Sequence, residues 1–128
     1  MLAVFRCDGS TRIGGGHVVR CLALADALAE AGGRCSFACT AETLSMVPAL
    51  ESSSHEILEL RCPEGEEPAI ISERRSEGYD LLVVDHYGRG SEFETSCRPL
   101  AESVLVIDDF ADRRHDCDYL LDQTLGRV

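Results

Sequence analysis

Lysine is absent from the sequence, so all 12 basic residues are arginines. A P-loop nucleotide site is therefore excluded, because its phosphate-binding motif requires a lysine. Functions that depend on a catalytic lysine are excluded for the same reason. A compositional bias of the genome is sufficient to explain the absence.

Positive charge is scarce overall, and long apolar runs are missing. With 23 acidic residues the formal net charge is −11, which repels nucleic acid and anionic membranes, so we expect neither as a partner. Any phosphate site must therefore depend on local groups. No apolar run has the length that a bilayer-spanning helix needs, and no charged segment followed by an apolar one begins the chain. We therefore expect a cytoplasmic location.

The seven cysteines are odd in number and show no Cys-x-x-Cys spacing. This pattern argues against a disulfide framework or a zinc ribbon and predicts small buried side chains in a reducing compartment. Cys117 and His115 could supply half of a metal site, but no second pair lies nearby in the sequence. We therefore expect no metal and no cofactor.

Short apolar runs alternate with segments of helical periodicity along the chain, and an apolar content of 45% in 128 residues predicts one domain, residues 1–128. The expected strands are 2–5, 34–39, 56–60, 81–84, 103–107 and 118–121. The expected helices are 17–29, 41–50, 69–77 and 91–102, with Thr40 and Ser91 as N-caps. Two of the runs, 81–84 and 103–107, lack polar alternation, which is typical of parallel strands buried on both faces. The pattern predicts an α/β fold with a Rossmann-like doubly wound parallel sheet in the strand order 3-2-1-4-5-6.

A glycine-rich loop joins the first strand to the first helix. It contains Gly9 and the run Gly14, Gly15 and Gly16, and His17 follows at the helix start. Glycines allow a close backbone approach or a positive φ, and the amides of a helix N-terminus favour an anion. The loop therefore predicts a site for a phosphorylated small molecule with His17 as proton acceptor. The alternative is that His17 only caps the helix.

Polar residues follow three strands that are expected to be neighbours: the glycine loop, the segment 85–87 and the pair 108–109. Because ligands of doubly wound sheets bind outside the carboxyl ends of the strands, these clusters predict one shared rim. Two alternatives stay open here. His86 and Tyr87 are either turn residues or rim residues, and Asp85 and Asp108 either terminate strands or line the site. His55 and His115 are expected on the surface.

Two other ligand classes fit the sequence poorly. A dinucleotide site needs its glycines directly after the first strand and an acidic residue after the second, and neither is present. A phospho-receiver domain needs a lysine and an acidic pair after its first strand, which this sequence lacks.

Four segments carry a resemblance to a known family. They are RCDGSTRIGGGHVVRCLALA at 6–25, VDHYG at 84–88, VIDDFADR at 106–113 and HDCD at 115–118. In this order, over nearly the whole chain, they resemble the UDP-sugar hydrolases of the pseudaminic acid pathway, whose substrate is UDP-2,4-diacetamido-2,4,6-trideoxy-β-L-altropyranose. The first segment is the most specific of the four.

The resemblance implies a glycosyltransferase-B-like architecture of two Rossmann-like halves, of which this chain matches the N-terminal, catalytic one. It implies metal-independent hydrolysis with inversion at the anomeric carbon, which releases UDP, and it places the catalytic histidine at His17, with Asp8 as a residue that could orient the imidazole. The residues expected to bind substrate are Asp8, Ser10, Arg12, Gly14, Gly15, Gly16, His86, Tyr87 and Asp108.

The expected partners are the UDP-sugar and either a C-terminal half-domain or a second copy that covers the exposed cleft face. By itself the chain is expected to turn over slowly or not at all. The alternative functions are the acceptor half of a glycosyltransferase-B enzyme and a non-catalytic nucleotide-sugar binding module.

Overall fold

The computed structural model describes residues 1–110 and 112–122, so Ala111 of the third motif and residues 123–128 lie outside the described part. Within it, the chain forms a six-stranded parallel sheet flanked by helices, and the strand order is β3-β2-β1-β4-β5-β6. The predicted α/β fold and strand order are confirmed. The strands are β1 (Leu2–Cys7), β2 (Arg34–Thr40), β3 (Glu56–Leu60), β4 (Tyr79–Asp85), β5 (Ala101–Ile107) and β6 (Tyr119–Leu121). The helices are α1 (Gly16–Glu30), α2 (Ala41–Met46), α3 (Pro48–Ser52), α4 (Glu67–Arg74) and α5 (Ser91–Cys97).

Prolines explain where the helices differ from expectation. The single helix expected over 41–50 is divided into α2 and α3, since Pro48 has no backbone N–H to continue α2 and instead starts α3. The helix expected over 91–102 ends at Cys97 and tightens into a 3₁₀ turn, Arg98–Leu100, around Pro99. α4 begins two residues earlier than expected, with Pro68 in its first turn.

One of the two predicted N-caps is confirmed. The Thr40 hydroxyl accepts a hydrogen bond from the backbone N–H of Thr43 at 3.4 Å, at the start of α2. The other prediction is wrong, because Ser91 is already the first residue of α5 and Gly90 occupies the cap position.

The sheet is buried on both faces, and each face has its own core. Ala3, Phe5 and Cys7 of β1 pack with α1 and α2, and the rings of Phe5 and Phe37 stack with centroids 4.9 Å apart. The intervening residue Val4 packs on the opposite face, where α4 and α5 lie. Five of the seven cysteines are buried in these cores, as the sequence predicts, and all seven are free thiols.

Strand register brings the functional loops to one edge of the sheet. Cys7 at the end of β1 pairs with Asp85 at the end of β4, and Val84 pairs with Val106 near the end of β5. The glycine loop, the β4–α5 loop and the β5–β6 loop therefore start side by side, as the sequence predicts.

A buried ion-pair network joins this edge of the sheet to α4. The guanidinium of Arg6, which is fully buried, donates to both carboxylate oxygens of Glu67 at 2.9 and 3.1 Å. Arg89 donates to the same oxygens at 3.0 and 2.7 Å. Burial alone would raise the pKa of Glu67, but the hydrogen bonds from Arg6 and Arg89 lower it below its usual range. Glu67 is therefore an anion that ties β1 to the β4–α5 loop.

Two features of the surface bear on partners. No helix of the described residues is long and apolar enough to cross a membrane. β6 carries three exposed apolar side chains, Tyr119, Leu120 and Leu121. Docking of a half-domain or of a second copy stays a prediction.

We predict that Glu67→Ala lowers the free energy of unfolding by about 3 kcal/mol in urea titrations. This is the lower end of the range for breaking a buried ion pair, because Asp8 still faces Arg6 at 2.9 Å. The control is Glu77→Ala, which removes an exposed partner of Arg75 and should change stability by about 0.5 kcal/mol or less. A loss below about 1 kcal/mol for Glu67→Ala would mean that Asp8 alone compensates Arg6.

Candidate active site

The glycine loop is closed by two backbone hydrogen bonds between Ser10 and Gly14, at 3.2 and 2.7 Å. Gly14 has a φ of +78°, a conformation that glycine adopts without strain. A Cβ on Gly15 would lie 2.9 Å from the side chain of Val47, so this glycine allows the loop to pack on the junction between α2 and α3. α1 begins at Gly16, directly after the closed loop, so His17 lies in the first helical turn.

This geometry changes one expectation about the loop. The amide of Gly14 donates to the Ser10 carbonyl and is therefore taken up by the loop itself. The Ser10 hydroxyl is likewise engaged, since it accepts from the Ile13 amide at 3.1 Å. Arg12 is exposed at the loop surface. Phosphate binding by the loop stays a prediction.

His17 and Asp85 form a buried dyad. The Nδ1 atom of His17 bonds to the carboxylate of Asp85, and the imidazole is only 7% exposed. Because an ionised carboxylate only accepts hydrogen bonds, Nδ1 carries the proton, and in the neutral imidazole Nε2 then presents its lone pair. Within the described part of the chain, His17 Nε2 is a buried polar atom without a hydrogen-bond partner. The dyad therefore holds a proton acceptor ready for a ligand.

Two interpretations of His17 and its neighbours are corrected by this contact. His17 makes no side-chain capping bond to α1, so the capping alternative is wrong. The residue that orients the imidazole is Asp85 and not Asp8, because the chain brings the end of β4 against the first turn of α1. Asp85 thus lines the site rather than only terminating a strand.

Arg20 binds the Asp85 carboxylate of the dyad. Its guanidinium donates to both oxygens of Asp85 at 2.5 and 2.7 Å and to Asp109 at 2.6 Å. Burial alone would raise the pKa of Asp85, but the hydrogen bonds from Arg20 and His17 lower it. Asp85 is therefore held as an anion, which is the state that accepts a hydrogen bond from Nδ1–H of His17.

Tyr87 lies directly beside the base. Its ring meets the His17 ring edge-on with centroids 4.2 Å apart, and it also contacts Phe110 at 5.0 Å. Tyr87 and Phe110 are 39% and 54% exposed. Of the two alternatives for Tyr87, the structure places it on the rim next to His17.

Asp8 and His86 form a second pair on the same edge. Asp8 accepts from His86 Nε2 at 2.8 Å, from the Thr40 amide at 3.0 Å and from the Thr43 hydroxyl at 2.8 Å. Burial alone would raise the pKa of Asp8, but the hydrogen bonds from His86 and Arg6 hold it well below its usual range. As folded, Asp8 joins β1, β2 and β4 at their carboxyl ends. A substrate contact by Asp8 or His86 stays a prediction.

The tautomer of His86 follows from its two neighbours. Its Nδ1 accepts from the Gly88 amide at 2.9 Å, so Nε2 carries the proton that is donated to Asp8. Burial lowers the pKa of His86 and the charges of Arg6 and Arg89 lower it further, although Asp8 opposes them. His86 is therefore a neutral imidazole, and its bond to the Gly88 amide stabilises the turn that follows β4.

A third pair joins Asp108 to His115. His115 Nε2 bonds to Asp108 at 2.6 Å, and its Nδ1 bonds to the buried Glu94 of α5 at 2.7 Å. The expected surface position of His115 is wrong, and so is that of His55, whose side chain is 4% exposed and bonds to Asp26. Asp108 is itself buried, and its other oxygen accepts from the Phe110 amide. As folded, Asp108 holds the β5–β6 loop, and a substrate contact by Asp108 stays a prediction.

The structure thus brings His17 and Tyr87 together and joins Asp8 to His86, while Asp108 is directed to α5. Sequence reasoning missed Arg20 as a residue that binds the dyad. A usable signal existed: residues three positions apart on a helix lie on one face, so Arg20 is expected beside His17. No comparable signal links Glu94 to His115, since their contact depends on the path of the β5–β6 loop.

A comparison with curated proteins finds a relative in Campylobacter jejuni, a UDP-2,4-diacetamido-2,4,6-trideoxy-beta-L-altropyranose hydrolase. The two sequences are 33% identical over 127 residues, which cover 94% of this chain and 41% of the relative. The chain therefore spans about two fifths of the length of the curated relative it matches. No family model matches the chain. The similarity suggests a nucleotide-sugar hydrolase and leaves the finer assignment to a proposal.

We predict that His115 makes the chain more stable at mildly acidic than at alkaline pH. Burial alone would lower the pKa of His115, but the hydrogen bonds to Asp108 and Glu94 raise it above its ordinary value. A histidine whose pKa is higher in the folded than in the unfolded chain stabilises fully below about pH 6.5, and this stability is lost as the pH rises through the folded pKa.

Urea unfolding of the parent and of His115→Gln at about pH 5.5 and about pH 8.5 checks this linkage. The gap in stability between the two proteins should be larger at the acidic pH. His86 titrates in both proteins and cancels in the difference. An equal gap at both pH values would contradict the prediction.

Proposed function

We propose that this chain carries the catalytic base of a nucleotide-sugar hydrolase, which releases UDP from a UDP-linked 2,4-diacetamido-2,4,6-trideoxy sugar with inversion at C1. The observation that carries the proposal is the buried, unpartnered Nε2 of His17, held by Asp85 at a rim where the glycine loop also lies. The Campylobacter jejuni relative supports the substrate class. The activity of the whole protein is part of the proposal, because the chain spans about two fifths of that relative.

The proposed reaction is a single displacement at the anomeric carbon. A water molecule hydrogen-bonded to His17 Nε2 attacks C1 from the face opposite the diphosphate, and its proton passes to Nε2. The bond between C1 and the diphosphate oxygen breaks, and its electron pair leaves with UDP. The products are UDP and a sugar whose C1 configuration is inverted. UDP is a stabilised anion, so the leaving group needs no strong general acid.

Asp85 has two roles in this scheme. It holds the proton on Nδ1, which leaves Nε2 as the acceptor, and its negative charge stabilises the imidazolium that forms during proton transfer. Arg20 keeps the Asp85 carboxylate fixed through two hydrogen bonds. Arg20 and Asp85 are therefore positioning residues, and His17 alone exchanges a proton with the reacting water.

The diphosphate is assigned to the start of α1. With the Gly14 amide engaged by Ser10, the amides of Gly15 and Gly16 are the loop donors at this helix N-terminus. The helix dipole favours negative charge at the same place. Arg12, exposed on the loop, adds a positive charge to the site.

We predict that His17→Asn lowers kcat by about 10²- to 10⁴-fold, the usual contribution of a general base. The loss should lie in kcat rather than in UDP affinity, because proton transfer occurs only in the transition state. The assay follows UDP release without any acceptor sugar, in the natural gene product and in the 128-residue chain.

An unchanged kcat for His17→Asn would contradict the assignment of the base. Turnover only after addition of an acceptor sugar would favour a glycosyltransferase. Binding of UDP-sugar without turnover in the natural gene product would favour a binding module.

We predict that Asp85→Asn also lowers kcat by about 10²-fold or more with a small effect on substrate binding. An amide can donate to Nδ1 of His17, which moves the proton to Nε2 and removes the base. The matched control is Asp109→Asn, which weakens one contact of Arg20 but leaves the dyad in place. We expect it to lower kcat by less than about tenfold. Equal losses for both variants would contradict a specific role of Asp85.

A further inference from the structure

Exposed aromatic rings are rare in this protein, and one of them contacts the base while a second contacts that ring. All seven aromatic residues lie in the described part of the chain, and Phe5, Phe37, Phe93 and Tyr79 are buried in the cores. The exposed ones are Tyr87, Phe110 and Tyr119. Tyr87 and Phe110 contact each other, and Tyr87 contacts His17. Solvent-exposed apolar rings in contact at a site are unfavourable unless they meet a ligand or a partner.

The backbone that carries the ring of Phe110 is held on its N-terminal side. Its amide donates to the Asp108 carboxylate at 3.0 Å, and that carboxylate is bound by His115. The preceding residue, Asp109, is bound by Arg20 of the dyad. The segment that presents Phe110 is thus coupled to the same arginine that fixes Asp85. Its position beside Tyr87 is built into the fold.

We propose that Tyr87 and Phe110 form an aromatic wall that binds the C–H face of the sugar ring, with Phe110 as the residue that favours a 6-deoxy sugar. The inference rests on the proposed function and assigns a part of the substrate to these two rings. Phe110 does not contact His17, so it is a specificity residue and not a catalytic one.

Distance decides between the sugar and the uracil as the occupant. His17 Nε2 must lie within one water molecule of the anomeric carbon. The Tyr87 ring centroid is 4.2 Å from that of His17, and Phe110 is one further ring contact away. The uracil is separated from the anomeric carbon by two phosphates and a ribose. The wall therefore meets the sugar, while the nucleotide extends away from it along the glycine loop.

The chemistry of the wall explains the expected preference. Pyranose C–H groups pack on aromatic faces, and a methyl group at C6 adds apolar surface to that contact. A hydroxyl at C6 that packs on the Phe110 ring would lose its hydrogen bonds to water without gaining one from that ring, which is unfavourable. A 6-deoxy sugar should therefore bind better than its 6-hydroxy counterpart.

The test measures Kd in the natural gene product with His17→Asn as background, which slows turnover enough for binding to be measured. The ligands are UDP-2,4-diacetamido-2,4,6-trideoxy-β-L-altropyranose, UDP-N-acetylglucosamine and UDP. Phe110→Ala should weaken binding of the deoxy sugar nucleotide by about five- to tenfold and that of UDP by less than about twofold. It should also reduce the preference over UDP-N-acetylglucosamine. Phe110→Trp keeps an aromatic face and should restore the affinity.

Tyr119→Ala is the control, because Tyr119 is an equally exposed ring on β6, outside the wall. It should leave all three affinities unchanged, and thermal unfolding verifies that each variant is folded. Equal weakening of UDP and of the UDP-sugar would place the ring on the nucleotide and overturn the inference. Unchanged affinities for Phe110→Ala would overturn it as well. If the His17→Asn protein binds no UDP-sugar at all, the proposed function fails together with the wall, whereas intact binding that ignores Phe110 rejects the wall alone.

Discussion

The arrangement of the site depends on one buried carboxylate, that of Asp85. It ends β4 inside the protein, and a buried charge without partners would be strongly destabilising. Within residues 1–110 and 112–122, its side-chain partners come from α1: His17 Nδ1, the Arg20 guanidinium and, at 3.6 Å, the Cys21 thiol. These three residues share one helix face, since they are spaced three and four positions apart. Satisfying Asp85 therefore fixes the rotation of α1 against the sheet and directs His17 Nε2 to the rim.

The same chemistry recurs at each of three strand ends. Asp8 follows β1 and binds His86, Asp85 ends β4 and binds His17, and Asp108 follows β5 and binds His115. The outer two pairs have opposite properties. Burial and the charges of Arg6 and Arg89 lower the pKa of His86, whereas the hydrogen bonds to Asp108 and Glu94 outweigh burial and raise the pKa of His115. The Asp8–His86 pair thus favours a neutral histidine and the Asp108–His115 pair a protonated one, although both consist of an aspartate and a histidine.

The sequence predicts the sheet order and the shared rim well, because both follow from buried apolar runs and from general rules for parallel sheets. It does not distinguish Asp8 from Asp85 as the partner of His17, since both come at strand ends. Register decides this. Asp85 pairs with Cys7, whose side chain belongs to the α1-side core, so Asp85 also points toward α1. The roles of Glu94 and Phe110 depend on the irregular β5–β6 loop, for which periodicity carries no information.

Local charge compensation reconciles an acidic protein with an anionic ligand. A net charge of −11 repels a diphosphate at long range. At the rim, however, Asp8 is paired with Arg6 and Asp85 with Arg20 at hydrogen-bonding distance. Paired charges at short range largely cancel beyond about a Debye length of 8–10 Å, so the donors of the glycine loop face a nearly neutral background. Arg6 and Arg20 are thus engaged by aspartates of the fold, so the proposed phosphate contacts fall to the backbone amides at the start of α1 and to the exposed Arg12.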